Sequence, residues 1–340
     1  MPIEIHDTVE LMGVMRNFPT ENNFWLDRYF TRSYFSNSEW IEFDEIETNR
    51  RLAPYVVPNV QGQPMRLSGY ETTRFKPAYL KPKHTLDTSH VLRRRPGEQW
   101  GGSMTPAQRD SAIVLDVLAL QADSIRRRWN QMAAEVLQTG ALTITGENYP
   151  TRLVDFERDA ANTVVLAGTT AWNGADANPW ANFTAWNQQV YRSGSPGRDL
   201  VMGRNASSAL FGNEKFREAF ETRRGSNAQM ELYNTVGSPV VYHGTIPGGL
   251  NLFTYGDNYD DNDGNKVEYL DPDDVLLIGD VGGVRAFGAI MDRKAGFAPV
   301  AMFPKMWENE DPSALYLMTQ SAPMMVPTNV NSSLRATVIA

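Results

Sequence analysis

Between Thr105 and Gly140 lies the stretch that most constrains this chain. Thr105 supplies an N-cap, Pro106 a first-turn proline and Gly140 a C-terminal stop. Val114, Leu118, Ile125, Trp129, Met132 and Val136 fall on one apolar stripe, with Arg109, Asp116, Asp123, Arg127 and Arg128 elsewhere on the wheel. At 1.5 Å per residue the helix is about 50 Å long, more than a compact domain of this size usually needs. A spine of this kind wants a sheet laid across it.

Two short hairpin strands, Leu142–Thr145 and Arg152–Phe156, follow directly and suit that cover. Upstream, Asp7 and Glu10 open a helix carrying Leu11, Val14 and Met15, which Pro19 ends. A second helix is predicted over Asn23–Phe35, whose Phe24, Trp25, Tyr29, Phe30, Tyr34 and Phe35 read first as a core anchor and second as a docking surface. From Glu39 to Glu47, apolar Ile41 and Phe43 alternate with acidic side chains, which predicts a half-buried strand with an acidic face. That face holds Glu39, Glu42, Asp44, Glu45 and Glu47.

Residues from about 50 to 96 read as strands broken by Pro54, Pro58, Pro64, Pro77 and Pro82, confined to sheet edges or a free-standing hairpin because proline cannot donate to a ladder. Between positions 66 and 95 stand eight basic residues, Arg66, Arg74, Lys76, Lys81, Lys83, Arg93, Arg94 and Arg95, against acidic Glu71 and Asp87. The run Phe75–His84 in particular has little to hide in a core. Ordering a projecting basic loop costs entropy unless something receives it, so it is expected to lie on a neighbouring molecule; a solvated hairpin is the plainer alternative.

After residue 160 the pattern changes to short strands (Leu200–Gly203, Val240–His243, Leu250–Tyr255) alternating with helices, near Asn182, over about Asn205–Arg217 and near Ala228–Asn234. This indicates a second α+β subdomain. The tail returns as a β-rich run from Ala314 to Met325, and Leu334–Ile339 gives one more strand.

Composition removes whole classes of chemistry. With no cysteine, disulfides, thiolate catalysis and Cys-based metal sites are excluded. A net charge of −8 argues against a wholly basic nucleic-acid-binding surface. No run approaches the roughly 20 apolar residues that span a bilayer, and the N-terminus lacks the pattern of a secretory signal, so a cytoplasmic origin is expected. His6, His84, His90 and His243 show no metal-ligand spacing, so no metal or other cofactor is expected. The acidic patch Asp257–Gly264 fails the EF-hand pattern and reads as a polar turn between Leu252–Tyr255 and Lys266–Tyr269. Gly279–Gly283 lacks the Lys-Ser/Thr of a phosphate loop and reads as a turn between strands, and Ser321 lacks the glycines of a nucleophile elbow. No catalytic constellation stands out.

Four separated strings then carry a resemblance: Tyr79-Leu80-Lys81-Pro82-Lys83-His84, Leu92-Arg93-Arg94, Thr222-Arg223-Arg224-Gly225-Ser226-Asn227 and Gln320-Ser321-Ala322-Pro323. In order and spacing they resemble the major capsid proteins of tailed bacteriophages related to phage lambda, with the Hong Kong 97-like capsid fold. The resemblance implies an α+β fold with an N-terminal arm (1–35), a peripheral-domain strand (36–49), an extended loop (50–96) and a peripheral domain (97–165), with its spine helix at about 105–139 and its hairpin at 141–156. An axial domain (166–311), a returning peripheral strand (312–327) and a C-terminal axial segment (328–340) complete it. It further implies self-assembly into pentamers and hexamers of an icosahedral virion shell in the host bacterial cytoplasm. The implied partners are a separate scaffolding protein, a portal, a decoration protein at three-fold positions and packaged double-stranded DNA held without sequence specificity, with no membrane. Lys76, Lys81 and Lys83 are candidates for the covalent cross-link of some relatives by position only, and the lambda-like branch is not expected to form one. The acidic strand of one subunit is expected to meet the basic loop of another. An encapsulin-like compartment and a carbohydrate-active enzyme using the 8 tryptophans as sugar platforms are the rival readings.

Overall fold

The structure, a computed structural model of the chain, describes residues 8–18, 23–46, 55, 61, 70–87, 104–146, 149–192, 195–221, 239–246, 248–261, 263–310 and 313–339. Helix α1 (Thr8–Arg16) buries Leu11 and Met15, one turn apart. The helix predicted over Asn23–Phe35 splits: α2 spans Phe24–Tyr29, and Arg32–Phe35 forms strand β1, paired in parallel with Val284–Phe287. A ladder partner some 250 residues away overrides local helical periodicity here, and Phe30, at φ −115, closes the helix with its N–H on the Leu26 carbonyl. Trp25 and Phe30 are wholly buried, and Trp25 meets Tyr255 edge-on at 4.9 Å. This part of the expected arm is therefore the centre of the chain's own core.

Strand β2 (Ile41–Ile46) pairs antiparallel with β3 (Tyr70–Phe75), and β4 (Lys83–Asp87) precedes the spine, α3 (Pro106–Thr139). The spine ends as its sequence dictates. The Thr105 hydroxyl accepts from Gln108 N–H while the Gln108 side chain accepts from Thr105 N–H, and Gly140 turns left-handed at φ 72. All six stripe residues, Val114, Leu118, Ile125, Trp129, Met132 and Val136, are buried.

Strands β5 (Ala141–Gly146) and β6 (Tyr149–Asp155) form the expected hairpin, followed by β7 (Thr163–Val165), α4 (Pro179–Arg192) and β8 (Asp199–Met202). The single helix expected over 205–217 is two, α5 (Arg204–Gly212) and α6 (Glu214–Glu221). Asn213 breaks it by accepting the Phe216 N–H on its side chain, a capping bond that competes with continued helix. The helix expected near Ala228–Asn234 lies outside the described residues. Then come β9 (Val240–Ile246), β10 (Leu250–Tyr255), β11 (Asn258–Asp260), β12 (Lys266–Glu268) and β13 (Asp274–Ile278). The remaining strands are β14 (Val284–Phe287), β15 (Phe303–Glu310), β16 (Ser313–Gln320), β17 (Pro323–Val326) and β18 (Ser333–Thr337). The acidic turn joins β12 to β11 and not to β10, because β10 already has β8 and β9 on its two edges.

One mixed six-stranded sheet, ordered β7-β18-β13-β8-β10-β9, forms a second body, with Trp172, Phe183 and Trp186 packed around buried β8 and β13. Two three-stranded sheets, β1-β14-β17 and β15-β16-β4, flank the spine. The spine's N-terminal half packs Val114 and Leu118 on Leu11, Met306 and Leu317, and its C-terminal half carries Trp129 to Phe287 at 5.1 Å. β15 pairs along its length with β16, so Phe303–Glu310 lies in the same sheet as Ser313–Gln320 and β4.

Candidate assembly surface

The basic run expected to project is partly woven into the body. Pro77 and Ala78 are buried, Leu80 exchanges both backbone hydrogen bonds with Ser321 (2.8 and 3.0 Å), and β4 pairs with β16 over five residues. The Tyr79 hydroxyl donates to the Ala289 carbonyl at 2.8 Å. Along the same path, Gln121, fully buried on the spine, donates to the Leu317 carbonyl and lies 2.9 Å from His84 Nδ1, while accepting from the Thr319 hydroxyl at 2.7 Å. Each polar group of that amide is satisfied, which is the condition for tolerating it in an apolar seam.

The expected charge complementarity is also met inside one chain. Arg74 pairs with Glu42 at 3.0 Å, and Lys76 pairs with Glu39. Both pairs lie along the β2–β3 ladder, with Phe43 and Phe75 stacked on each other at 5.4 Å and set against Phe156. β2 and β3 are in antiparallel register from Ile41 opposite Phe75 to Ile46 opposite Tyr70. Lys81 lies over the Tyr79 ring at 4.9 Å, and Lys83 over Tyr316 at 4.0 Å, both amino groups on an exposed face. Asp44 and Glu45 sit in β2 opposite Thr72 and Glu71 in register. Arg66, Arg93, Arg94, Arg95 and Glu47 lie outside the described residues.

A clasp that the sequence did not reveal ties α2 to the six-stranded sheet. Arg28 grips Asp199 with two bonds, 2.6 and 2.8 Å, while Tyr29 (3.1 Å) and Asn251 (2.8 Å) donate to the same carboxylate. Burial alone would raise the Asp199 carboxyl, but the hydrogen bonds from Arg28, Asn251 and Tyr29 outweigh it and hold it below its ordinary value. The partners stand 171 residues apart, and no local pattern links them. Asp274 shows the reverse balance: burial outweighs the bonds from Thr337 and Arg335, and its carboxyl is pushed up.

Among the described residues, the remaining candidates are engaged in packing and hydrogen bonding. Ser321 is buried and donates to the Ala301 carbonyl at 2.7 Å. Trp25, Trp129, Trp172 and Trp186 are core residues and so are not sugar platforms. Among the described residues no three His, Asp or Glu side chains cluster as metal ligands, and no helix is long and apolar enough to cross a membrane.

The sequence profile of the phage major capsid protein E family matches residues 7–338, nearly the whole chain. The chain belongs to that family. The major capsid protein of Enterobacteria phage P21 is 30% identical over 328 residues, covering 94% of this chain and 95% of its own. That of Escherichia phage lambda is 28% identical over 333 residues, covering 95% and 96%. A crystal structure of the prophage capsid protein from Escherichia coli CFT073 superposes with a TM-score of 0.72 at 24% identity, over 98% of this chain and 99% of that one. The mature capsid of bacteriophage PhiM1 shares the fold at a TM-score of 0.52 and 10% identity, over 94% of this chain and 88% of that one. The α+β architecture is thus the Hong Kong 97-like capsid fold, and this capsid protein is a structural component of the icosahedral virion shell of a tailed phage. An encapsulin-like compartment is the less supported reading, since the family and its curated relatives are phage capsid proteins.

Proposed function

We propose that this capsid protein closes its shell by presenting the 50–96 segment to adjacent subunits within pentamers and hexamers. The six-stranded body would face the five-fold and six-fold axes, and the spine with its flanking sheets would form the periphery. Assembly proceeds in the host bacterial cytoplasm around a separate scaffolding protein, with a portal at one vertex and a decoration protein at three-fold positions. Double-stranded DNA later fills the shell without sequence-specific contacts. The role is mechanical and involves no catalysis.

The observation that supports this reading is the paired stem: the β2–β3 ladder, with the Arg74–Glu42 and Lys76–Glu39 pairs and the stacked Phe43 and Phe75, sets where residues 47–69 start and finish. A connection so anchored at its base is aimed, and what it meets then sets the register between subunits. The test is to replace residues 48–68 by a two-residue Asn-Gly turn, which an antiparallel ladder accommodates. The variant is expected to keep its circular dichroism spectrum and to lose closed particles in electron micrographs; wild-type particle yield would refute the role of the loop. No covalent cross-link belongs to this reading, so boiled particles give a single denaturing-gel band near 38.1 kDa.

A further inference from the structure

The connection from β14 to β15 carries an apolar pair on a strained and firmly braced turn. Phe297 has φ 57, a left-handed conformation that a bulky side chain rarely adopts. It is 53% exposed, and Met291 is 51% exposed. The brace is extensive. Asp292 accepts from the Lys294 N–H (2.8 Å), the Lys305 ammonium (2.7 Å) and Gln320 Nε2 (3.1 Å). Ala289 bridges to Pro299, and the Tyr79 hydroxyl accepts the Met291 N–H at 3.2 Å while donating to Ala289. Strain that surrounding bonds hold in place, ending in an exposed aromatic ring, calls for a use outside the isolated subunit.

At the other end of β14 lies an open groove of about 410 Å³, lined by Tyr34, Ile41, Phe43, Phe156, Val284 and Val326 among others. No residue of the braced turn lines it. We propose that Met291 and Phe297 of one subunit dock into this groove on a second copy of the chain. The inference rests on the self-assembly above, which surrounds every subunit with copies of itself. Knob and groove are different patches, so the contact is head-to-tail, the kind that runs around a ring. Exposed Arg293 and Lys294 flank the knob, while the groove is lined by Arg32 and by Glu42, the latter paired with Arg74, so the docking rests on apolar shape and not on charge. A rigid aromatic anchor also loses little freedom on docking, which favours it as an interface centre.

Two measurements on the full chain decide it. Phe297→Gly relieves the left-handed strain and Phe297→Asp places a charge on the knob; both subunits are expected to fold, yet to give closed particles at a yield at least about tenfold lower, as loss of an aromatic anchor implies. In wild-type particles grown from mixed light and heavy isotope stocks, zero-length carbodiimide coupling should join Lys294 to Glu42 between chains. Wild-type yield from both folded variants, or Lys294 couplings that lie only within one chain or to carboxylates away from the groove, would overturn the docking. If wild-type subunits formed no shells at all, the assembly reading itself would fall; normal wild-type shells with indifferent variants remove the docking alone.

Discussion

The charge state of Asp199 is tied to folding through its four hydrogen bonds. Its depressed carboxyl contributes stability that is fully present above the unfolded value of about 3.9 and is lost as pH falls through the lower folded value. At pH 7, Asp199→Asn should cost about 1–3 kcal/mol, because Arg28 loses a two-point charged partner but is 38% exposed and can turn to water. Below pH 4 the urea midpoints of wild type and variant should converge; a gap that stays constant down to pH 2 would contradict the clasp. This contact was illegible in the sequence, as was Gln121, because a buried polar residue is recognised only by partners that the fold brings from elsewhere. The apolar stripe of the spine was legible down to the residue, since Val114 through Val136 repeat on one helical face.

At the scale of elements, the two ends of the spine follow the sequence, since their causes are local. Gly140 ends the spine at φ 72, and a Cβ there would stand 2.4 Å from the Arg158 Cβ. Arg158 in turn donates to the Leu137 carbonyl at the spine's end, and burial, with Arg335 nearby, lowers its guanidinium to about 10. Gly140→Ala should therefore cost more than about 1 kcal/mol, a fall of about 2–4 °C or more in the thermal midpoint, whereas Gly212→Ala, with open space around it, should not destabilise. Equal midpoints for the two variants by calorimetry would count against the left-handed cap. The strands were harder to read. In β13 every residue is buried, so the two-residue alternation that marks a half-exposed strand is missing, and β1 exists only because Val284–Phe287 lies beside it.

For the whole molecule, the notable feature is how much of the basic segment the subunit uses on itself. Arg74 and Lys76 are spent on the stem of their own hairpin, while Lys81 and Lys83 rest on aromatic rings at an exposed face. The resemblance carried by the four rare strings implied a self-assembling capsid protein. They did not disclose that the Tyr79–His84 string is stitched to the Gln320–Pro323 string, Leu80 on Ser321, so that two of the strings form one structural joint. Reversing Lys81 and Lys83 to Glu should leave the subunit folded and soluble while preventing closed shells, if those exposed ammonium groups meet acidic surface of a neighbour. Normal particles from the double variant would refute that contact.

The most direct test of the account is electron cryomicroscopy of particles from the full chain co-expressed with its scaffolding protein. Closed icosahedral shells are predicted, with density for residues 50–69 of each subunit lying across the adjacent one. A protein that stays monomeric at high concentration, with that segment packed on its own body, would contradict it.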